Sequence, residues 1–307
     1  MNSPPRSAHT TFDLSGVPAE VITALRLDRL PVERAVTSTA DLLRLDGKVA
    51  VVTGGGGQGL GNAICHRLAE QGASIAIIDV VPEAGTQAAD EIARVWGVPT
   101  FATAANVADW DAAHRAIDAV VEHFGTIDIL VNNAGGSGSI GLSGDQVAPP
   151  GSFLGMQRGD IETTVGVNLM GVLYVTRAAL AVMVTNSSGR IVNIASEGGK
   201  VGAATHAVYG SCKSAVIGLT RNLAHEFGPQ GISVVAVCPA LMLSERLVKS
   251  GRLDASPDGL FGWTLKKSTI GRLSLPDEVA STVAFLASDA GSYVHGTAVS
   301  VGGGFSD

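Results

Sequence analysis

Val49-Ala-Val-Val-Thr53-Gly54-Gly55-Gly56-Gly57-Gln58-Gly59-Leu60-Gly61 is an apolar, β-branched run that breaks into glycine and then resumes as a helical pattern. A strand that enters a glycine-rich turn and opens a helix is the context a dinucleotide site requires. Glycine lets the backbone approach a pyrophosphate closely, and the helix N-terminus offers amide donors and the positive end of its dipole. Gly54, Gly56 and Gly59 satisfy the G-x-G-x-x-G spacing, with Gln58 and Leu60 in the same turn. That spacing alone is weak, because so many glycines satisfy several registers. A triphosphate-binding loop needs Lys and then Ser or Thr straight after its second glycine, and Leu60-Gly61 stands there instead.

The same rhythm runs outward from this unit. Leu60 to Gln71 reads as a helix, Ser74 to Asp79 as a strand and Pro82 to Trp96 as a helix. Strand-like runs follow at Ile127 to Asn132, Arg190 to Ala195, Ser233 to Val237 and Ala298 to Val301. Helical patterns lie near Ile161 to Met183, from Val208 to Phe227 before the breaker pair Gly228-Pro229, and from Pro276 to Ala287. Alternation of this kind predicts an α/β fold: one doubly wound domain, residues 46–307, with a seven-stranded parallel sheet and helices on both faces. Residues 1–45 mix Pro, Ser, Thr and charge and read as an N-terminal arm with one helical stretch, Ala19 to Leu30. Ser244 to Thr269 reads as polar and irregular.

With 307 residues and 46% apolar content the chain can bury a substantial core. Its 21 basic and 28 acidic residues leave a net charge of −7 with no basic block, which argues against nucleic acid as a partner. The longest strongly apolar runs fall short of the roughly 20 residues that span a bilayer, so no membrane helix is expected. No secretory signal pattern precedes Gly16, and the protein reads as cytoplasmic. Cys65, Cys212 and Cys238 are odd in number, far apart and set in apolar segments, which fits reduced thiols better than disulfides or a metal site.

Asp79 closes the second strand about twenty residues beyond Gly59, where a carboxylate accepts hydrogen bonds from an adenosine ribose and repels a 2′-phosphate. Neither Val80-Val81-Pro82 nor the glycine turn supplies an Arg or Lys to offset such a phosphate, so NAD is expected rather than NADP. Tyr209 and Lys213 stand at i and i+4 on one helix, close enough for the ammonium to act on the phenol. At an effective dielectric of about 20, a charge roughly 5 Å away is worth about 3 kcal/mol, which would bring a phenol from a pKa near 10 toward the range of a general base. Ser196, at the end of the preceding strand, can hold a substrate oxygen while Tyr209 takes its proton and Lys213 also binds the nicotinamide ribose. Together these residues outline a hydride-transfer site.

Four segments strengthen that reading: Asp128-Ile-Leu-Val-Asn-Asn-Ala-Gly135, Val167-Asn-Leu-Met-Gly171, Ile191-Val-Asn-Ile-Ala-Ser196 and Tyr209-Gly-Ser-Cys-Lys213. From about Leu45 to Phe305 the chain resembles the classical short-chain dehydrogenase/reductase family, whose core is a Rossmann domain. The resemblance implies that Asn168 bends its helix and binds a water linking Lys213 to a proton relay, joining Ser196, Tyr209 and Lys213 as catalytic residues. It places Asn133, Ala134 and Gly135 beside the adenosine and its ribose, Asn106 and Val107 at the adenine, and Pro239 and Ser244 near the nicotinamide. It also implies a homotetramer formed through the helices bearing Asn168 and Tyr209, with the arm either wrapping a neighbour or disordered.

The chain departs from the family pattern in several places. Four residues separate Gly54 from Gly59 where three are usual, Asn106 replaces Asp, Cys238-Pro239-Ala240 replaces Asn-Pro-Gly, and Ser244 stands for a threonine. The segment 136–160 is about ten residues longer than the family needs, and 244–270 carries Leu247, Leu260, Phe261 and Trp263. Neither offers an arginine cluster to grip an anion, so the expected substrate is a mostly apolar secondary alcohol or ketone, cyclic ones included. Glu197 and His206 also lie near the pocket in sequence. Two other functions remain open at this point. A nucleotide-sugar epimerase or dehydratase uses a similar Tyr and Lys pair but carries a longer C-terminal domain than the roughly 70 residues after Cys238. A non-catalytic NAD-sensing protein would have no need of the full set Asn168, Ser196, Tyr209 and Lys213.

Overall fold

A computed structural model describes residues 16–27, 38–136, 152–244, 248 and 260–305. Seven parallel strands form one sheet in the order β3-β2-β1-β4-β5-β6-β7. They are β1 Val49–Thr53, β2 Ser74–Asp79, β3 Thr100–Ala104, β4 Ile129–Asn132, β5 Gly189–Ile194, β6 Ile232–Pro239 and β7 Ala298–Val301. The helices are α1 Ala19–Ala24, α2 Thr39–Leu42, α3 Leu60–Glu70, α4 Pro82–Trp96, α5 Trp110–Phe124, α6 Arg158–Val165, α7 Gly171–Thr185, α8 Ala207–Phe227, α9 Leu260–Lys267 and α10 Pro276–Ala287.

The sheet is covered on both faces, and side-chain alternation along each strand divides the core between them. Ala50, Val52, Ile75, Ile77, Ile129 and Val131 pack with residues of α3, α4 and α10. Val49, Val51, Ala76, Ile78 and Leu130 pack with α5 and α7 on the other face. Strands buried on both sides leave no polar stripe, which is why β1 is buried at all five positions. Helix ends follow local chemistry: Asp109 accepts the Ala112 N–H at 2.7 Å at the start of α5, and Gly97 and Gly125 take positive φ at the ends of α4 and α5.

Three sequence expectations are adjusted. Six strands were assigned ranges; the seventh is Thr100–Ala104, followed by α5. The helical stretch expected from Ala19 to Leu30 ends at Ala24, and residues 28–37 lie outside the described residues. The span read as irregular contains α9. The run Arg158–Thr185 is long and apolar enough, by length and composition, to cross a membrane, although Arg158, Asp160, Glu162 and Arg177 interrupt its apolar residues. Half of its apolar window is buried, with α7 packed against α5, β4 and β5.

The chain builds outward from β1 through β2 to β3, then returns to place β4 on the other side of β1. The reversal opens a crevice at the carboxyl ends of β1 and β4, the place where open α/β sheets put ligands. The glycine turn and Asn132–Gly135 both leave the sheet there.

Candidate active site

The glycine turn is held from behind by side chains of its neighbours. Thr53 Oγ1 accepts the N–H groups of Asn133 and Ala134, each at 3.0 Å, tying β1 to the end of β4. Asn133 Nδ2 donates to the carbonyls of Thr53 (3.0 Å) and Gly54 (3.1 Å). Asp79 Oδ2 accepts the Gly56 N–H at 2.9 Å and Oδ1 accepts the Val81 N–H at 3.0 Å. Thus Asp79 and Asn133, expected at the cofactor, also brace the turn. Thr53, to which no role was assigned from sequence, is the hinge pin between the two strands.

The glycines divide by what a side chain would meet. Gly54 has φ +66° with the Ala134 backbone against it, Gly56 faces Asp79 and the α4 backbone, and Gly61 lies against the Gly54 carbonyl. The protein itself requires these to be small. Gly57 and Gly59 face open space, and Gln58 is exposed beside them. An open amide rim over a helix N-terminus fits a pyrophosphate, and Leu60, half-buried at the first position of α3, packs onto the core below it. At the end of β3, Asn106 Oδ1 accepts the Ala108 N–H at 3.0 Å, and the buried Val107 packs against Gly171.

Ser196, Tyr209, Lys213 and Asn168 converge across the ends of β4 and β5. Lys213 is 3% exposed, and its Nζ donates to the Ile194 carbonyl at 2.8 Å, 5.7 Å from the centroid of the Tyr209 ring. Burial pushes the ammonium down to a pKa of about 8. Ser196 Oγ accepts the Gly198 N–H at 3.1 Å and stands close enough to the Tyr209 phenol to favour its ionised form. Asn168 lies in a single π-helical turn, Gly166–Met170, between α6 and α7. Its Oδ1 accepts the Gly136 N–H at 3.0 Å, while Nδ2 donates to Thr164 O at 3.0 Å and Gly136 O at 3.3 Å. Gly135, at φ +147°, lets these groups meet: a Cβ there would stand 2.5 Å from Asn168 Oδ1 and 3.6 Å from Lys213 Nζ.

One electrostatic expectation is reversed. Burial raises the Tyr209 phenol above its ordinary value, and the nearby Ser196 hydroxyl opposes this less strongly. The Lys213 ammonium directs a proton at Ile194 O instead of the phenol, so desolvation of the phenolate outweighs its attraction in the protein alone. Beneath the site a buried polar ladder fixes the strands. Asn132 Nδ2 donates to Thr176 and to Asn193, each at 2.8 Å, and Asn193 Nδ2 donates to Thr220 at 3.0 Å.

In front of Tyr209 lies a cleft of about 100 Å³ lined by Ser196, Glu197, His206, Pro239, Trp263 and Phe305, among others. Trp263 meets Phe305 edge to face at 5.1 Å between centroids. Trp263 was singled out in sequence, whereas Phe305 carried no signal, because only the course of the chain after β7 brings it here. Ser244 is half-buried at the last residue before a gap in the description; Leu247 and residues 137–151 lie outside it.

A parallel sheet with a glycine turn at its switch point, facing a buried Lys, Tyr and Ser, defines a dinucleotide-binding oxidoreductase. Residues 55–306 match the family described as enoyl-(acyl carrier protein) reductase. The chain is 35% identical over 257 residues to 3-oxoacyl-[acyl-carrier-protein] reductase FabG of Staphylococcus aureus, covering 84% of this chain and 97% of that one. It is 36% identical over 263 residues to D-threitol dehydrogenase of Mycolicibacterium smegmatis, covering 85% and 94%. A solved 7α-hydroxysteroid dehydrogenase, in complex with NADH and 7-oxo glycochenodeoxycholic acid, superposes with a TM-score of 0.76 at 29% identity, covering 87% of this chain and 98% of that one. The chain belongs to the classical short-chain dehydrogenase/reductase family.

Proposed function

We propose that the protein is an NAD(H)-dependent oxidoreductase that interconverts a mostly apolar secondary alcohol, cyclic ones included, and its ketone. The observation that carries the reading is the buried Lys213 beneath the Tyr209 ring, with Ser196 and Tyr209 lining one cleft. Ser196 holds the substrate oxygen, and Tyr209 takes the carbinol proton in oxidation and returns it in reduction. Lys213 supplies positive charge behind the phenol and binds the nicotinamide ribose. Asn168 keeps the Gly135–Gly136 backbone in place beside Lys213 and connects it to a proton relay.

Gly54, Gly56, Gln58, Gly59 and Leu60 would hold the pyrophosphate. Asp79 would hold the adenosine ribose, Asn106, Val107, Asn133, Ala134 and Gly135 the adenosine side, and Pro239 and Ser244 the nicotinamide side. When bound, NAD supplies the ring that accepts or donates the hydride. NAD is preferred to NADP because Asp79 faces the turn with no Arg or Lys among Val80, Val81 and Pro82. Three buried free thiols, Cys65, Cys212 and Cys238, support a reducing, cytoplasmic setting. Residues 1–45 are assigned as an arm on the catalytic domain, residues 46–307, and the enzyme as a homotetramer.

The test is reduced-nicotinamide absorbance with NAD or NADP against a panel of cyclic, aromatic and aliphatic secondary alcohols. Turnover with NAD at higher kcat/KM than with NADP is expected. Binding of NAD without turnover of any alcohol would favour a sensor instead.

A further inference from the structure

Besides the buried Thr264, two polar side chains of the cleft are unused by the chemistry above. His206 is half-buried at the start of α8 and meets the Tyr209 ring edge to face, 5.7 Å between centroids. Its Nδ1 lies 2.9 Å from the Ala204 carbonyl. A carbonyl only accepts, so Nδ1 carries a proton in this contact, with the Thr205 hydroxyl farther off at 3.5 Å, and in the tautomer so fixed Nε2 is the ring's acceptor. The second group is Glu197, 1% exposed, with both carboxylate oxygens buried and without a hydrogen-bond partner. A polar group buried unpaired is costly, which points to a donor that arrives with a ligand. The remaining lining, with Pro239, Leu241, Trp263 and Phe305, is apolar apart from Thr264, and no lysine or arginine is among the described residues lining the cleft.

Acceptors on one side and rings on the other suit a substrate with an apolar body and a hydroxyl donor beside the reacting carbon. We infer that His206 is a specificity-determining residue whose Nε2 accepts a hydrogen bond from a second hydroxyl of the substrate, so that the preferred substrates are diols or hydroxyketones. The inference rests on the oxidoreductase reading and deepens it. His206 adjoins Tyr209 and Glu197 follows Ser196, so the second hydroxyl falls on a carbon close to the one oxidised. An anionic group in that position would face two acceptors and be rejected.

The test compares matched pairs under NAD-dependent turnover: cyclohexanol with cis-cyclohexane-1,2-diol, and the best monoalcohol of the panel with its vicinal diol. One hydrogen bond of this kind corresponds to about tenfold in kcat/KM, carried by a lower KM for the diol. In His206→Phe the diol-to-monoalcohol ratio should fall toward one, with KM for the diol rising more than kcat falls. In His206→Gln, whose amide oxygen can accept, part of the ratio should return. A wild-type ratio near one, or a ratio unmoved in His206→Phe, overturns the assignment while leaving the oxidoreductase intact. Failure of every alcohol, with bound NAD, takes down the underlying reading and this one together.

Discussion

At Lys213, stability and chemistry pull apart. The ammonium is almost fully buried, and its pKa of about 8 lies below the ordinary 10.5. A depressed lysine costs the folded state most below about pH 8, where both states are charged, and the cost is relieved as pH rises toward 10.5. That cost is on the order of 3 kcal/mol, against about 1 kcal/mol returned by the hydrogen bond to Ile194 O. Lys213→Met should therefore abolish turnover yet raise the melting temperature at pH 7 by a few degrees, measured by calorimetry; a lower melting temperature would mean the ammonium stabilises the fold. Tyr209 gives a second expectation. Burial holds the phenol above its ordinary value, and oxidation needs the phenolate whereas reduction needs the phenol. Oxidation kcat/KM should climb from about pH 7 to about pH 10, with reduction level over that range. A flat oxidation profile would show that another group sets the proton transfer.

The glycine turn separates residues demanded by the fold from those demanded by a ligand. Gly61 has no room for a side chain, but Gly59 has open space and an extended φ of −134° that any residue adopts. Gly59→Ala should fold with an unchanged melting temperature and bind NAD at least about tenfold more weakly, by fluorescence titration, because only a pyrophosphate would occupy that space. Unchanged affinity would move the phosphates elsewhere. The central strands of this sheet were legible in the sequence because burial on both faces makes them unbroken β-branched runs, whereas β3, only half-buried, was not, and α3, α4 and α10 were because Pro, Gly and apolar spacing mark them. α9 was not, since eight residues ending in Lys266-Lys267 give too short a period. The π-helical turn at Asn168 was reached through family resemblance alone, because apolar spacing runs smoothly through it. Asn168, Ser196, Tyr209 and Lys213 were legible as a set; the Tyr209 pKa was not, because desolvation depends on what covers the ring.

Across the molecule, α6, the π-helical turn and α8 leave a hollow of about 330 Å³ lined by Phe153, Val165, Leu169, Val208, Ser211 and Cys212. Phe153 and Leu154 are exposed at its rim. This is the surface the proposed tetramer would bury, and it adjoins the site, since Cys212 precedes Lys213. Ser211→Arg, placing a charge in that hollow, should shift light-scattering mass from four chains to a smaller assembly and lower activity. A tetramer that persists would put the interface elsewhere. Tyr209, proposed to carry the proton beside a cofactor on the glycine turn, is tested by Tyr209→Phe, followed in parallel by reduced-nicotinamide absorbance with the best alcohol and by NAD titration. Loss of turnover by at least about a thousandfold with NAD affinity within about threefold of the parent is the predicted result; retained turnover in the phenylalanine variant would contradict the account.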